Sequence, residues 1–317
     1  MDIRTLADSI QEQTEKIIIG KSDRIRLIIM AVLAGGHVLL DDLPGVGKTT
    51  LVKTVSLALG CRSGRIQFVP DMLPSDIIGM RIFNQKTGDF ELRQGPVMTN
   101  ILLADEINRA IPRTQSALLE AMEERQITID AEQFPLPRPF LVLATQNPVE
   151  SESTFHLPAA QMDRFLVRIT MGYPSPEQER DMLHRLGDEI PFHTVTPVTD
   201  AAGLIRAQEE IRAVHLGDHV ADYIVALADA TRSHPQLVMG ASPRATRNLY
   251  RACKVWAAMD GRNFVTPDDV KALAHPVLEH RLVLESSARF SGRTAAAILD
   301  DILDRVPAAP ETAFSIS

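Results

Sequence analysis

The segment from Val38 to Leu59 constrains this chain more than any other. Val38-Leu39-Leu40 is an apolar run with strand character, Asp42-Leu43-Pro44-Gly45-Val46-Gly47-Lys48-Thr49 follows at once, and a helix-forming stretch continues from about Thr49 to Leu59. Strand, glycine-rich turn and helix in direct succession open a parallel α/β unit. In such a turn Gly45 and Gly47 let the backbone N–H groups curl around an anion, Lys48 reaches the outer phosphate oxygens, and the Thr49 hydroxyl is suited to a magnesium ion. Pro44, Val46 and Thr50 complete the segment expected to line a nucleotide's phosphates, so ATP and Mg2+ are the implied ligands. The usual first glycine of this pattern is Asp42 here, while the Gly-x-Gly-Lys-Thr core that would touch phosphate is intact.

The remaining first half alternates short apolar runs with helical stretches. Further buried strands are predicted at Arg65 to Val69, Asn100 to Ala104, Phe140 to Thr145 and Val167 to Met171, a pattern that calls for a parallel sheet sandwiched by helices. The third of these five strands runs into Asp105-Glu106, at the edge where doubly wound sheets bind ligands. Hydrolysis of a phosphoanhydride needs a held metal and an oriented water, which assigns Asp105 to the metal, through water, and Glu106 to the general base. Thr49 and Asp105 are thus the candidate metal residues. Met80 to Leu92, around Thr87-Gly88, has hairpin chemistry, and Gln126 to Pro139 suggests a second protrusion.

After Tyr173-Pro174-Ser175-Pro176 the strand-like runs nearly vanish, which divides the chain into an α/β unit over residues 1–173 and a linker with a helical lid over 174–305. Helix starts are marked by Ser242-Pro243 and Thr266-Pro267-Asp268-Asp269. Residues 306–317 read as a disordered tail.

Charge narrows the partners. The chain of 317 residues carries a net charge of -8, against the basic excess of a dedicated nucleic-acid binder. No apolar run reaches membrane-spanning length, and Met1 to Gln13 lacks a basic-then-apolar signal, so no membrane insertion and a cytoplasmic location are expected. Cys61 and Cys253 are far apart and read as reduced structural thiols.

Beyond the loop and the acidic pair, the chain carries Pro74-Ser75-Asp76-Ile77, Gly95-Pro96-Val97, Asp105 to Ala110, Thr114 to Glu124, Ala144-Thr145-Gln146-Asn147-Pro148 and Gly240 to Ala245 in co-linear order. In these stretches it resembles the AAA+ ATPases, and more closely the MoxR family, over nearly its whole length. The resemblance implies a P-loop NTPase sheet, a small all-helical lid, and a homo-hexameric ring with nucleotide between subunits. It casts Asn147 as the sensor of the attacking water, Arg244 as the second sensor on the γ-phosphate with Arg247 its rival, and Arg164 of Met162-Asp163-Arg164-Phe165 as the finger offered to a neighbouring subunit. Arg168 is the alternative finger, an ordinary ion pair the alternative role for Arg164, and Arg109 and Arg113 are further residues of the junction. Gly20, in the Ile18-Ile19-Gly20-Lys21 turn ahead of the first predicted helix, resembles the adenine contact, and the two protrusions resemble insertions that mark one AAA+ clade.

The function implied is ATP-driven, chaperone-like remodelling of a partner, with a von Willebrand A domain protein as the partner expected from the resemblance. Alternatives are the ATPase subunit of a metal chelatase, a nucleic-acid motor or loader, and a nucleotide-gated binding module. The mixed charges of the first hairpin, Arg81 and Lys86 against Asp89 and Glu91, argue against the motor. Glu106, Asn147 and Arg164 together argue against a switch without turnover.

Overall fold

The computed structural model describes residues 1–41, 45–147, 155–187 and 189–308. Asp42, Leu43 and Pro44 of the predicted phosphate loop therefore lie outside the described residues, as does 309–317 of the predicted tail.

Along the chain come α1 (Ile3–Glu15), α2 (Ser22–Leu33), β1 (His37–Asp41), α3 (Lys48–Ala58), β2 (Ser63–Gln67), α4 (Pro74–Ile78), β3 (Gly79–Asn84), β4 (Asp89–Gln94), β5 (Ile101–Asp105), α5 (Pro112–Glu124), β6 (Gln126–Ile129), β7 (Glu132–Pro135), β8 (Leu141–Gln146), α6 (Ala159–Met162) and β9 (Phe165–Ile169). Helices then dominate: α7 (Pro176–Leu186), α8 (Ala201–Glu210), α9 (Asp218–Arg232), α10 (Pro243–Met259), α11 (Pro267–Leu278), α12 (Ser286–Phe290) and α13 (Ala295–Arg305), with a short antiparallel pair of β10 (Leu237–Met239) and β11 (Val283–Leu284) among them.

The five long-range strands form one parallel sheet in the order β2-β5-β8-β1-β9. Period-two side-chain alternation splits each central strand between two cores. Val38, Leu40, Ile101, Leu103, Leu141 and Leu143 enter one core with α1, α2, α3 and the lid helices. Leu39, Leu102, Ala104, Val142 and Ala144 enter the other, against α5. Strands apolar on both faces are what a sheet covered on both sides requires.

β2 departs from the expectation of a fully buried strand at Arg65 to Val69. It spans Ser63–Gln67 at the edge of the sheet, where only Ile66 is buried. The last strand, predicted from Val167, begins two residues earlier at Phe165 because the chain pairs with β1 from His37 onward.

Both protrusions are antiparallel hairpins. β3 pairs with β4, β6 pairs with β7, and Arg81 of the first makes an ion pair with Glu132 of the second. Gly79 and Gly95 close the base of the first hairpin, where a Cβ on Gly95 would stand 2.2 Å from the Ile77 carbonyl oxygen. The helix starts use the predicted caps: Ser242 Oγ accepts from the Ala245 N–H, and Thr266 and Asp269 form a capping box.

α10 packs on α1, α2, α9 and α11, and α11 packs on β9, so the lid covers the β9 edge of the sheet. Val306 and Ala308 pack against the larger core. Among the described residues no helix is long and apolar enough to cross a membrane.

Candidate active site

Parallel pairing fixes one edge of the sheet as the site. Lys48 is the first residue of α3, immediately after the turn that leaves β1, and it is only 8% exposed. Gly45 and Gly47 sit at φ +83° and +82°, where L side chains are strained, and nothing lies within 4 Å of where a Cβ on either would stand. The described part of the loop is therefore open to solvent at both glycines. Thr49 faces solvent beside it and Thr50 is half-buried. Pro44 lies outside the described residues.

β8 separates β1 from β5, with Leu40 opposite Thr145 and Ala144 opposite Ala104, so Asp105 emerges at the same level as the loop, about 10 Å across two strand spacings. Asp105 is 8% exposed. The Thr145 hydroxyl donates to Asp105 Oδ1 at 2.7 Å and accepts the Glu106 N–H at 2.8 Å. Arg65 donates to the other oxygen, Oδ2, at 2.8 Å. Glu106 has φ +57° and ψ +49°, a left-handed backbone that turns its side chain off the strand line. Its Oε2 accepts from Gln67 Nε2 at 3.0 Å and from Arg109 Nη1 at 2.9 Å. Arg109, read from the sequence as a junction residue, is thus an ion-pair partner of Glu106, the residue expected to be the general base. Asn147, at the tip of β8 and 4% exposed, is held through its backbone by Asn108, whose side-chain amide donates to the Asn147 carbonyl at 3.1 Å.

Arg164 and Arg244 are somewhere else. Both converge on Glu123 at the end of α5: Arg164 Nε stands 3.5 Å from Oε2, and Arg244 Nη2 stands 2.5 Å from Oε1. They line a cavity of about 560 Å³ with His37 at the start of β1, Leu166 at the start of β9, and Arg125, Arg247 and Arg251. That cavity opens at the N-terminal edge of the sheet, a strand length of roughly 13 Å from the loop. Arg244, which the resemblance casts as the second sensor on the γ-phosphate, thus stands with the start of α10 beside β9 and not over Lys48 of its own chain. Arg247 lines the same cavity. Arg168, the rival finger, is committed to Glu279 at 3.0 Å and Asp41 at 3.8 Å in its own chain.

His37 is buried beneath this cavity. Its Nδ1 accepts from the Val142 N–H at 3.0 Å and its Nε2 meets the Met122 carbonyl at 3.2 Å, which fixes a neutral ring. Burial, reinforced by Arg125 and Arg251, pulls its pKa down to about 4.

Residues 37–167 match the model of the ATPase family associated with various cellular activities, and residues 229–302 match that of the AAA lid domain. An uncharacterized protein of Bacillus subtilis, YeaC, is 46% identical over 96% of this chain and 95% of its own length. Chaperone MoxR1 of Mycobacterium tuberculosis is 42% identical over 96% of this chain and 82% of its own, and protein MoxR of Methylorubrum extorquens is 33% identical over 90% and 89%. A candidate ATPase from Cytophaga hutchinsonii, solved by crystallography, superposes with a TM-score of 0.91 at 37% identity, covering 97% of this chain and 96% of that one.

The chain is a MoxR-family AAA+ ATPase. As an ATP-hydrolysing enzyme of this family it has a P-loop sheet followed by a helical lid. The donor chemistry of the MoxR site fits a magnesium nucleotide: the backbone at Gly45 and Gly47 has open space for phosphate beside it, and among the described residues each Asp105 oxygen accepts from one donor and retains a lone pair. Gly20 follows α1, a helix that the sequence reading did not place, and α1 packs on α3. Its carbonyl accepts from Gln178 at 3.2 Å, and Lys21 donates to the Tyr173 carbonyl at 3.0 Å, so the turn is pinned to the segment leading into α7. The sequence did not single out Thr145, Arg65, Gln67 or Glu123 for the site. Thr145 and Glu123 lie inside quoted motifs, but only strand order and the course of α5 reveal what they touch.

Proposed function

We propose that this MoxR protein hydrolyses magnesium-bound ATP at the junctions of a homo-hexameric ring and uses the cycle to remodel a partner protein. The observation that carries this reading is the partition of the machinery: loop, Asp105 and Glu106 at one edge of the sheet, Arg164 and Arg244 together at the other.

In this reading the backbone of Pro44 to Lys48 and the Lys48 ammonium hold the phosphates. Thr49 and Asp105 would hold the magnesium ion, which would supply positive charge to offset that of the phosphates. Glu106 takes the proton of the attacking water while the Asn147 amide orients it, and Thr145 keeps both acidic residues in register. Gly20 contacts the adenine. Arg164 and Arg244 of a neighbouring copy complete the site, offsetting charge on the transferred phosphoryl group.

The working units are residues 1–173 and 174–305. Exposed Met80, Ile82, Phe83 and Phe90 on the first hairpin, the last 66% exposed, supply apolar surface, and its charges are of both signs, which favours a protein over nucleic acid as partner. Together with the chaperone designation of the Mycobacterium tuberculosis relative, this supports a chaperone-like role; the cytoplasm as its location and a von Willebrand A domain protein as its partner are part of the proposal through the family resemblance alone.

Phosphate release, ATP binding and light scattering on the purified chain test the reading. Glu106→Gln should bind ATP, assemble, and hydrolyse about 10² to 10⁴ times more slowly. A variant that turns over at the unmutated rate, or a fully active monomer, would refute it.

A further inference from the structure

Three consecutive residues after α11 grip β9 and the residues just before it, next to Arg164. Glu279 pairs with Arg168 at 3.0 Å, His280 Nε2 meets the Phe165 carbonyl at 3.3 Å, and Arg281, only 3% exposed, reaches Asp163. Arg281 Nε donates to Asp163 Oδ1 at 2.7 Å, and its two outer nitrogens donate to the carbonyls of Asp163, Phe165, Leu166 and Val277. β9 is the outer strand of the sheet, and at its start the carbonyls of Phe165 and Leu166 are served by this buried guanidinium. The second Asp163 oxygen, Oδ2, accepts from Ser242 Oγ at 2.8 Å. Ser242 is the N-cap of α10, and Arg244 is the second residue of that helix.

One carboxylate therefore joins the two arginines. Arg164 is its chain neighbour on the sheet side, and Arg244 stands two residues beyond its hydroxyl partner on the lid side. A charge-assisted bond to a guanidinium this deeply buried tolerates little displacement, because breaking it strands a charge away from water.

We propose that Asp163, clamped between Arg281 and Ser242, is a positioning residue that makes Arg164 and Arg244 a single rigid jaw presented to the nucleotide of a neighbouring copy. This rests on the junction reading above. Lid and finger then approach or leave a phosphate together, and the jaw's orientation, not the affinity of its own chain for ATP, is what Asp163 controls.

Subunit mixing distinguishes this from a purely structural role. Asp163→Asn is expected to keep its affinity for a slowly hydrolysed ATP analogue and to fold with a melting temperature lowered by roughly 5–15 °C as Arg281 loses its counter-charge, while kcat falls about ten- to a hundredfold. Mixed with Lys48→Ala, which cannot grip ATP but carries an intact jaw, it should regain hydrolysis, as Arg164→Ala should in the same mixture. Unmutated kcat in Asp163→Asn overturns the proposal. Recovery by Arg164→Ala but not by Asp163→Asn also overturns it and leaves the junction reading standing; recovery by neither removes both. If Asp163→Asn does not fold, Ser242→Ala, which removes the lid-side bond alone, takes its place with the same expected slowing and recovery, and an unmutated rate there counts against the proposal.

Discussion

The Thr145 hydroxyl donates to Asp105 Oδ1 at 2.7 Å across neighbouring strands. The Thr145 hydroxyl oxygen also accepts the Glu106 N–H, so a single side chain from β8 sets both acidic residues. Thr145→Val keeps the shape and removes the hydroxyl, leaving a buried donor and acceptor without it, at a cost of about 1–3 kcal/mol in unfolding free energy. The displaced carboxylates should lower kcat about ten- to a hundredfold. Thr145→Ser should restore most of it. Denaturant titration and phosphate release on both variants check this, and a fully active valine variant would count against it.

Glu123 neutralises Arg164 and Arg244 together, with all three side chains partly open to solvent. Pairs of this exposure contribute up to about 1 kcal/mol. Glu123→Gln should therefore change stability little. In the proposed assembly the arginines exchange this carboxylate for a phosphate, so the variant should reach half-maximal hydrolysis at an ATP concentration up to about fivefold lower. A higher half-saturation point would show that Glu123 aligns the arginines for their ligand instead of competing with it.

His37 makes stability depend on pH. Its pKa is about 4 when folded and about 6.5 when unfolded, so between those values the unfolded chain binds more protons and stability rises with pH. The contribution is present above about pH 6.5 and is lost as pH falls toward 4. Between pH 7 and pH 5 this group alone should remove about 2 kcal/mol. His280, also buried and pulled down by burial and by Arg281 and Arg168, acts in the same direction. Urea titrations of the unmutated chain and His37→Gln at the two pH values isolate the His37 share; equal pH slopes would rule it out.

A substitution at Gly47 is strained by conformation and not by space, since a Cβ there meets nothing within 4 Å. Gly47→Ala should fold and yet destabilise the loop geometry by about 1–2 kcal/mol, the cost of a left-handed backbone for an alanine. Calorimetry should show ATP affinity reduced about five- to thirtyfold. Unchanged affinity would mean that the loop adopts another conformation on the nucleotide.

The central strands and the phosphate loop were legible because their signals are contiguous: apolar runs such as Ile101-Leu102-Leu103 need both faces covered, and Gly-Val-Gly-Lys-Thr follows one of them directly. β2 was read two residues late, since an edge strand buries only Ile66 and leaves a weak apolar pattern. Gln67 and Thr145 were silent for a different reason. Their partners, Glu106 and Asp105, are 39 and 40 residues away, and only the order of strands makes them neighbours. Arg244 shows the converse: its residue type and helix cap were readable, but the edge of the sheet to which that helix is moored depends on Arg281 and Asp163, a contact between residues 118 positions apart.

The strand length between Lys48 and Arg164 has a consequence for how much of this protein a cell must hold. If each copy's nucleotide is finished by another copy's arginines, dilution alone turns the enzyme off, and turnover per molecule climbs steeply as copies accumulate. Abundance then acts as the throttle, with no separate inhibitor required.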